Sequence, residues 1–123
     1  NLAYAPFTDQ RHLEAPAREL AAGAHGSRVL LLVVLACVGA PVAEEIFFRG
    51  LVMRALARRL PMVASAAVTA VLFAATHFQG LQFAGLAAFG FVAGLLAGRT
   101  GRVGTSICLH VGFNAAALWL LYH

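Results

Sequence analysis

The sequence predicts an all-α protein, a polytopic membrane bundle of about four transmembrane helices, and two observations lead to this prediction. Of the 123 residues, 61% are hydrophobic and only 11% are charged, with a mean hydropathy of +0.82. Soluble domains are roughly 45–50% apolar and about 25% charged. The second observation is that no residue from Leu60 to Gly98 carries a formal charge. A water-soluble fold is nearly excluded, because such a fold needs a polar shell.

The expected elements follow from the interruptions of the apolar runs. Residues 1–27 form the one ordinary polar segment and are expected to be an N-terminal arm or loop, with the transmembrane core over 28–123. The first helix should cover 28–59 and end at an Arg-rich boundary. As a single helix the uncharged stretch would extend about 58 Å, twice the roughly 30 Å hydrocarbon core, so we expect a hairpin of two passes. The remaining helices are expected over residues 62–78, 81–98 and 103–122.

The basic residues indicate topology and argue against one class of partner. All nine are arginines; they give a net charge of +4 and do not form a block, so nucleic-acid binding is a poor interpretation. If four helices alternate in direction, five arginines fall on one face, which the positive-inside rule makes cytoplasmic. These five are Arg54, Arg58, Arg59, Arg99 and Arg102. The chain begins at Asn1 without a signal sequence, so we expect further residues upstream.

Small residues in the apolar runs are expected to serve packing. Cys37 and Cys108 have no CxxC partner, and each is predicted to be a small buried hydrophobe. Glycines recur through the third predicted helix and should allow close approach of neighbouring helices. They are Gly85, Gly90, Gly94 and Gly98. The all-Arg, Ala-rich composition suggests a GC-rich bacterial genome, so we expect an integral protein of the bacterial plasma membrane.

Six polar side chains within the predicted spans need an explanation, since a charged group in the bilayer costs between about 2.5 and 17 kcal/mol. They are Glu44, Glu45, Arg49, His77, His110 and Asn114. Helix neighbours lie three or four residues apart, so Glu45 should face Arg49 and His110 should face Asn114. Glu44 lies about 100° from Glu45 around the helix, so the two carboxylates should have different environments. The unpaired carboxylate could act as a general base, and the imidazoles and the amide could bind water, a metal or an oxyanion.

Three functions are compatible with this set of residues. Taken singly, each residue has a structural explanation, such as interhelical hydrogen bonding or a position at the membrane interface. Their joint occurrence on three apolar helices favours a catalytic site. A proton or ion carrier is an alternative, because buried acids and histidines also mark transport paths. A catalytically inactive membrane immunity or scaffold protein is the other alternative.

Three short motifs lie in order on separate predicted helices. Residues 44–49 read EEIFFR, residues 73–77 read FAATH, and residues 110–114 read HVGFN. They resemble the EExxxR, FxxxH and HxxxN motifs of the CPBP intramembrane proteases. That family includes the type II CAAX prenyl endopeptidases and the bacteriocin self-immunity (Abi-like) proteins. The resemblance covers about residues 38–122.

The resemblance implies an intramembrane endopeptidase that acts on membrane-associated protein or peptide substrates, with CAAX-type tails as one candidate. By similarity, Glu44 would be the general base that activates a water together with His77. His110 and Asn114 would stabilise the oxyanion of the tetrahedral intermediate.

The same resemblance implies that Glu45 and Arg49 support the site, and it leaves the cofactor open. The family is described both as zinc metalloproteases and as glutamate-dependent enzymes without a metal. Glu44, His77 and His110 could ligate Zn²⁺, yet HExxH is absent and the ligands would come from separate helices. The expected partners are the substrate and the lipid bilayer.

Overall fold

The computed structural model describes residues 26–122, and within that range it contains helices and no strand. Four helices follow one another there. They are α1 (Ser27–Leu56), α2 (Met62–Thr76), α3 (Phe83–Thr100) and α4 (Val103–Tyr122). The predicted all-α class and helix order are confirmed. The polar arm predicted for residues 1–27 lies outside the described residues, except for its last two.

Three of the described helices, α1, α3 and α4, are long and apolar enough to cross a membrane. The fourth, α2, is apolar but has only 15 residues. It is therefore about 22 Å long, against a hydrocarbon core of about 30 Å. The prediction extended this helix to Phe78, but Phe78 has a φ of 52° and ends the helix early. A left-handed residue at this position is a common way for a helix to terminate.

The first helix is continuous but not uniform. Two wider, π-helical stretches occur within it, Leu35–Gly39 and Ile46–Val52. The first precedes Pro41, whose ring would clash with the carbonyl four residues back in a regular α-helix. The predicted end at Arg59 is wrong: the helix stops at Leu56 and a turn follows. Pro61 disfavours helical conformation at Leu60 and so separates this helix from α2, but it does not account for the end at Leu56.

The second and third helices form an antiparallel hairpin with a small-residue interface. Along α3, three glycines spaced four residues apart face α2: Gly90 lies opposite Ala70, Gly94 opposite Ala66, and Gly98 opposite Met62. A Cβ at Gly90 would lie 3.2 Å from the Ala70 Cα, and a Cβ at Gly98 would lie 2.8 Å from the Met62 Sδ. The predicted close approach is confirmed for these three positions. Gly85 has open space around it and is not part of this interface.

The fourth helix packs against α1 and α3 and completes the bundle of the described residues. At the Arg-rich end, Arg54 Nη2 donates a hydrogen bond of 3.4 Å to the Gly101 carbonyl, so the end of α1 meets the turn between α3 and α4. Cys37 is buried as predicted. The prediction for Cys108 is wrong, because this cysteine is exposed on α4.

Candidate active site

An ion pair between Glu45 and Arg49 forms the centre of the site. Arg49 Nη1 donates to Glu45 Oε1 at 3.0 Å, and both side chains are 0% exposed. The pairing predicted from the i,i+4 spacing is therefore present. Arg49 Nη2 also donates to the Gly90 carbonyl of α3 at 2.8 Å. A Cβ at Gly90 would lie 3.2 Å from this Nη2, so the missing side chain lets the guanidinium reach the α3 backbone.

The imidazole of His110 lies between two carboxylates. Its Nδ1 lies 3.0 Å from Glu45 Oε1 and its Nε2 lies 3.8 Å from Glu44 Oε2. A carboxylate paired with arginine is an acceptor, so the Nδ1 hydrogen is donated to Glu45. The Nε2 edge of the ring is then directed toward Glu44. One oxygen of Glu45 thus accepts from both Arg49 and His110, which joins α1 and α4.

The two glutamates differ in environment, as their angular separation predicts. The side chain of Glu44 is 32% exposed, whereas that of Glu45 is 0% exposed. Adjacent residues on a helix point in directions about 100° apart, so only one carboxylate can face Arg49. Glu44 therefore combines access from outside the bundle with a position beside His110.

His77 lies directly after the last residue of α2. Its Nδ1 is 2.8 Å from the Phe73 carbonyl. A carbonyl only accepts, so Nδ1 carries the hydrogen and the neutral ring has its lone pair on Nε2. The ring also packs against Phe73 with centroids 4.6 Å apart, and Phe73 packs against His110 at 5.6 Å. One aromatic ring thus contacts both histidines.

Two phenylalanines, Phe73 and Phe89, pack against His110 but are not among the site residues predicted from the sequence. Phe73 is fully buried, and the guanidinium carbon of Arg49 lies 4.9 Å from its ring centroid, a cation–π distance. Phe89 packs against His110 at 4.8 Å and against Phe113 at 4.7 Å. Phe73 belongs to the FxxxH pattern, which could have indicated it. Phe89 is one apolar residue in an apolar helix, and no sequence signal distinguishes it.

Asn114 lies one turn after His110 on α4 and bonds to a different helix. Its Nδ2 donates to the Ala36 carbonyl of α1 at 2.9 Å. A side-chain amide has two N–H donors, so this bond uses one and leaves the other for a ligand. The bond fixes the orientation of the amide within the bundle.

The arrangement of possible metal ligands is relevant to the choice between a zinc-dependent and a metal-free site. Within residues 26–122, no three His, Cys, Asp or Glu side chains cluster closely enough to hold a metal ion. The Nδ1 atom of His77 is engaged by its own helix, which leaves Nε2 as the ring nitrogen available to a ligand. The chemistry proposed below therefore includes no step at a metal.

Comparison with known families agrees with this geometry. A family model described as Type II CAAX prenyl endopeptidase Rce1-like matches residues 26–116, most of the chain. The chain belongs to this Rce1-like family. No curated protein and no solved structure matches it. The matched range contains all six polar residues singled out in the sequence, and the resemblance inferred from the three motifs is confirmed. In general terms, membership indicates a CAAX-type peptidase of the membrane.

Proposed function

We propose that this Rce1-like chain is an intramembrane endopeptidase in which Glu44 and His77 activate the attacking water. The observation that carries the proposal is the unequal environment of the two glutamates. Glu45 is held by Arg49 at 3.0 Å and is fully buried, whereas Glu44 is partly exposed and lies beside His110. A carboxylate that is not committed to a cation can take up a proton from water.

In the first step, Glu44 removes a proton from a water that also donates a hydrogen bond to the Nε2 lone pair of His77. The water oxygen attacks the peptide carbonyl carbon, and the carbonyl oxygen becomes an oxyanion. Glu44 then transfers its proton to the amide nitrogen as the C–N bond breaks. The products are a carboxylic acid and an amine, and the carboxylate returns to its starting state.

The oxyanion would be stabilised by His110 and Asn114. The hydrogen bond from Nδ1 of His110 to Glu45 holds the ring in place, so that its Nε2 edge would face the substrate. Asn114, held by Ala36, offers its second amide hydrogen. Removing one such donor from an oxyanion site typically slows catalysis by about 10²–10³-fold.

Arg49 would act as a positioning residue, since its contacts are to the protein. It neutralises Glu45 and binds the Gly90 carbonyl, so it orders α1 against α3. We propose a membrane-associated protein or peptide as substrate, with a CAAX-type tail as the candidate that the family suggests. We propose the bacterial plasma membrane as its location, from the composition of the chain.

The decisive test is the cleavage of a quenched membrane peptide library by purified full-length protein and by the Glu44→Gln variant. The variant keeps the size of the side chain and one acceptor oxygen but cannot take up the proton, so cleavage should be lost. Circular dichroism and unchanged thermal unfolding provide the control for folding. Cleavage by Glu44→Gln at the wild-type rate would contradict the proposed base. Absence of cleavage by a folded wild type would favour a carrier or a scaffold.

A further inference from the structure

The carbonyl of Ala36 lacks both of the backbone donors that its own helix could offer it. In a regular α-helix it would accept from the N–H of Ala40, four residues later. In the π-helical stretch Leu35–Gly39 the N–H of Ala40 donates instead to the Leu35 carbonyl, five residues earlier. The same register would pair Ala36 with residue 41, which is a proline and has no N–H. The Ala36 carbonyl therefore needs a donor from elsewhere.

Asn114 of α4 supplies that donor. Its Nδ2 lies 2.9 Å from the Ala36 oxygen. A carbonyl in a regular helix points along the helix axis toward its donor, whereas a carbonyl without such a donor can tilt outward. In a membrane bundle little water is present to satisfy it, so a side chain of a neighbouring helix is the natural partner. Pro41 leaves the acceptor open, and Asn114 occupies it.

This bond determines the direction of the second amide hydrogen of Asn114. The amide group is planar, so fixing one N–H on Ala36 also fixes the other. That other hydrogen is the one assigned to the oxyanion in the proposed function. Pro41 is fully buried and has no polar side-chain atom, so it can affect this hydrogen only through the backbone of α1.

We propose that Pro41 is a positioning residue of the peptidase, which orients the Asn114 amide by leaving the Ala36 carbonyl without a donor from α1. Its catalytic consequence rests on the proposed function, whereas the bond itself can be tested without cleavage. Pro41→Ala introduces an N–H that can donate to Ala36 in the π-helical register. It also removes the ring that opposes a regular α-helix, in which Ala40 would donate to Ala36. In both cases the carbonyl turns toward its own helix and away from Asn114.

The first experiment measures cleavage of the best substrate from the quenched peptide library by full-length protein. Pro41→Ala should lower kcat by about tenfold with little change in KM, the effect expected when one orienting hydrogen bond is weakened. In an Asn114→Ala background the same substitution should cause no further loss, because the amide that Pro41 orients is absent. A tenfold loss in both backgrounds would overturn the proposal, as would an unchanged kcat for Pro41→Ala.

Two further variants separate the new N–H from the lost side-chain volume. Pro41→Val also introduces the N–H but replaces the buried volume, so it should lower kcat as much as Pro41→Ala. Recovery of kcat in Pro41→Val would assign the loss to packing and overturn the proposal. Val42→Ala is the matched control, because it removes a similar volume from the next position of α1 and leaves the backbone donors unchanged. It should cleave like the wild type, and a tenfold loss there would count against Pro41.

The second experiment follows thermal unfolding and does not depend on cleavage. Asn114→Ala should lower the unfolding midpoint of the wild type, because the Ala36 carbonyl loses its donor. In the Pro41→Ala background the same substitution should lower the midpoint by no more than about half as much. Equal decreases in the two backgrounds would overturn the proposal even if the protein is an active peptidase. If the wild type cleaves no peptide and the decreases differ, the proposed function fails, but the control of Asn114 by Pro41 is supported.

Discussion

Replacing Arg49 by methionine should destabilise the bundle strongly. The Nη1 to Oε1 distance is 3.0 Å and both side chains are 0% exposed, so solvent does not screen the pair. At an effective dielectric constant of about 20, two unit charges at this distance attract by about 5–6 kcal/mol. Removing one partner of a buried pair typically costs about 3–5 kcal/mol, because it leaves the other charge uncompensated. We expect Arg49→Met to lower the free energy of unfolding by that amount.

A second, double variant distinguishes the effect of the uncompensated charge from the effect of the changed side-chain packing. In the double variant Glu45→Gln, Arg49→Met, no uncompensated charge remains at these two positions. Replacement of a whole buried pair by neutral groups is often close to neutral for stability. The double variant should therefore recover most of the stability that Arg49→Met loses, although the Gly90 carbonyl still lacks its donor.

Equilibrium unfolding of the full-length protein in mixed detergent micelles, followed by circular dichroism, would measure both effects. Arg58→Gln serves as the reference, since it removes an exposed arginine from the end of the same helix region. A loss below about 1 kcal/mol for Arg49→Met would place the pair in the range of exposed salt bridges and refute the reasoning. A double variant less stable than Arg49→Met would refute it as well.

Three further predictions concern packing and catalysis. Gly90→Ala should lower the free energy of unfolding by about 1–3 kcal/mol, because the added methyl group overpacks the interface with α2. Gly85 has open space around it, so Gly85→Ala should raise the free energy of unfolding by up to about 1 kcal/mol. Thermal unfolding should therefore show shifts of opposite sign for the two variants. Asn114→Ala should lower kcat by about 10²–10³-fold with little change in KM, because the second amide hydrogen of Asn114 is proposed to stabilise the oxyanion. Steady-state kinetics would test this prediction, and a change in KM alone would contradict it. Cleavage should continue after treatment with a tight zinc chelator, and loss of activity restored by added Zn²⁺ would overturn the mechanism without a metal.

Most of the helices could be predicted from the sequence, because uncharged runs longer than the bilayer leave few arrangements. The ends were less predictable where a single residue decided them. Pro61 restricts only Leu60, so the end of the first helix at Leu56 does not follow from it. The left-handed conformation of Phe78 ends α2, and nothing in an aromatic side chain indicates such a backbone.

Within the site, contacts along one helix could be predicted and contacts between helices could not. The bond from Arg49 to Glu45 follows from their spacing of four residues. The bonds of Asn114 to the Ala36 carbonyl and of His110 to Glu45 join residues far apart in the sequence. They depend on the relative rotation and height of α1 and α4. A single sequence does not specify the relative rotation or the relative height of these two helices.

The pairing of Glu45 and Arg49 within a single helix also affects how α1 can enter the bilayer. Between Glu44 and Arg49 the helix carries three charged residues, and each would be unfavourable in hydrocarbon if it entered alone. Since two of them lie one turn apart, they can neutralise each other before any other helix is present. This stretch of the inserting helix then carries one uncompensated charge, that of Glu44, instead of three. The ion pair that orders the folded site thus also lowers the cost of bringing α1 into the bilayer.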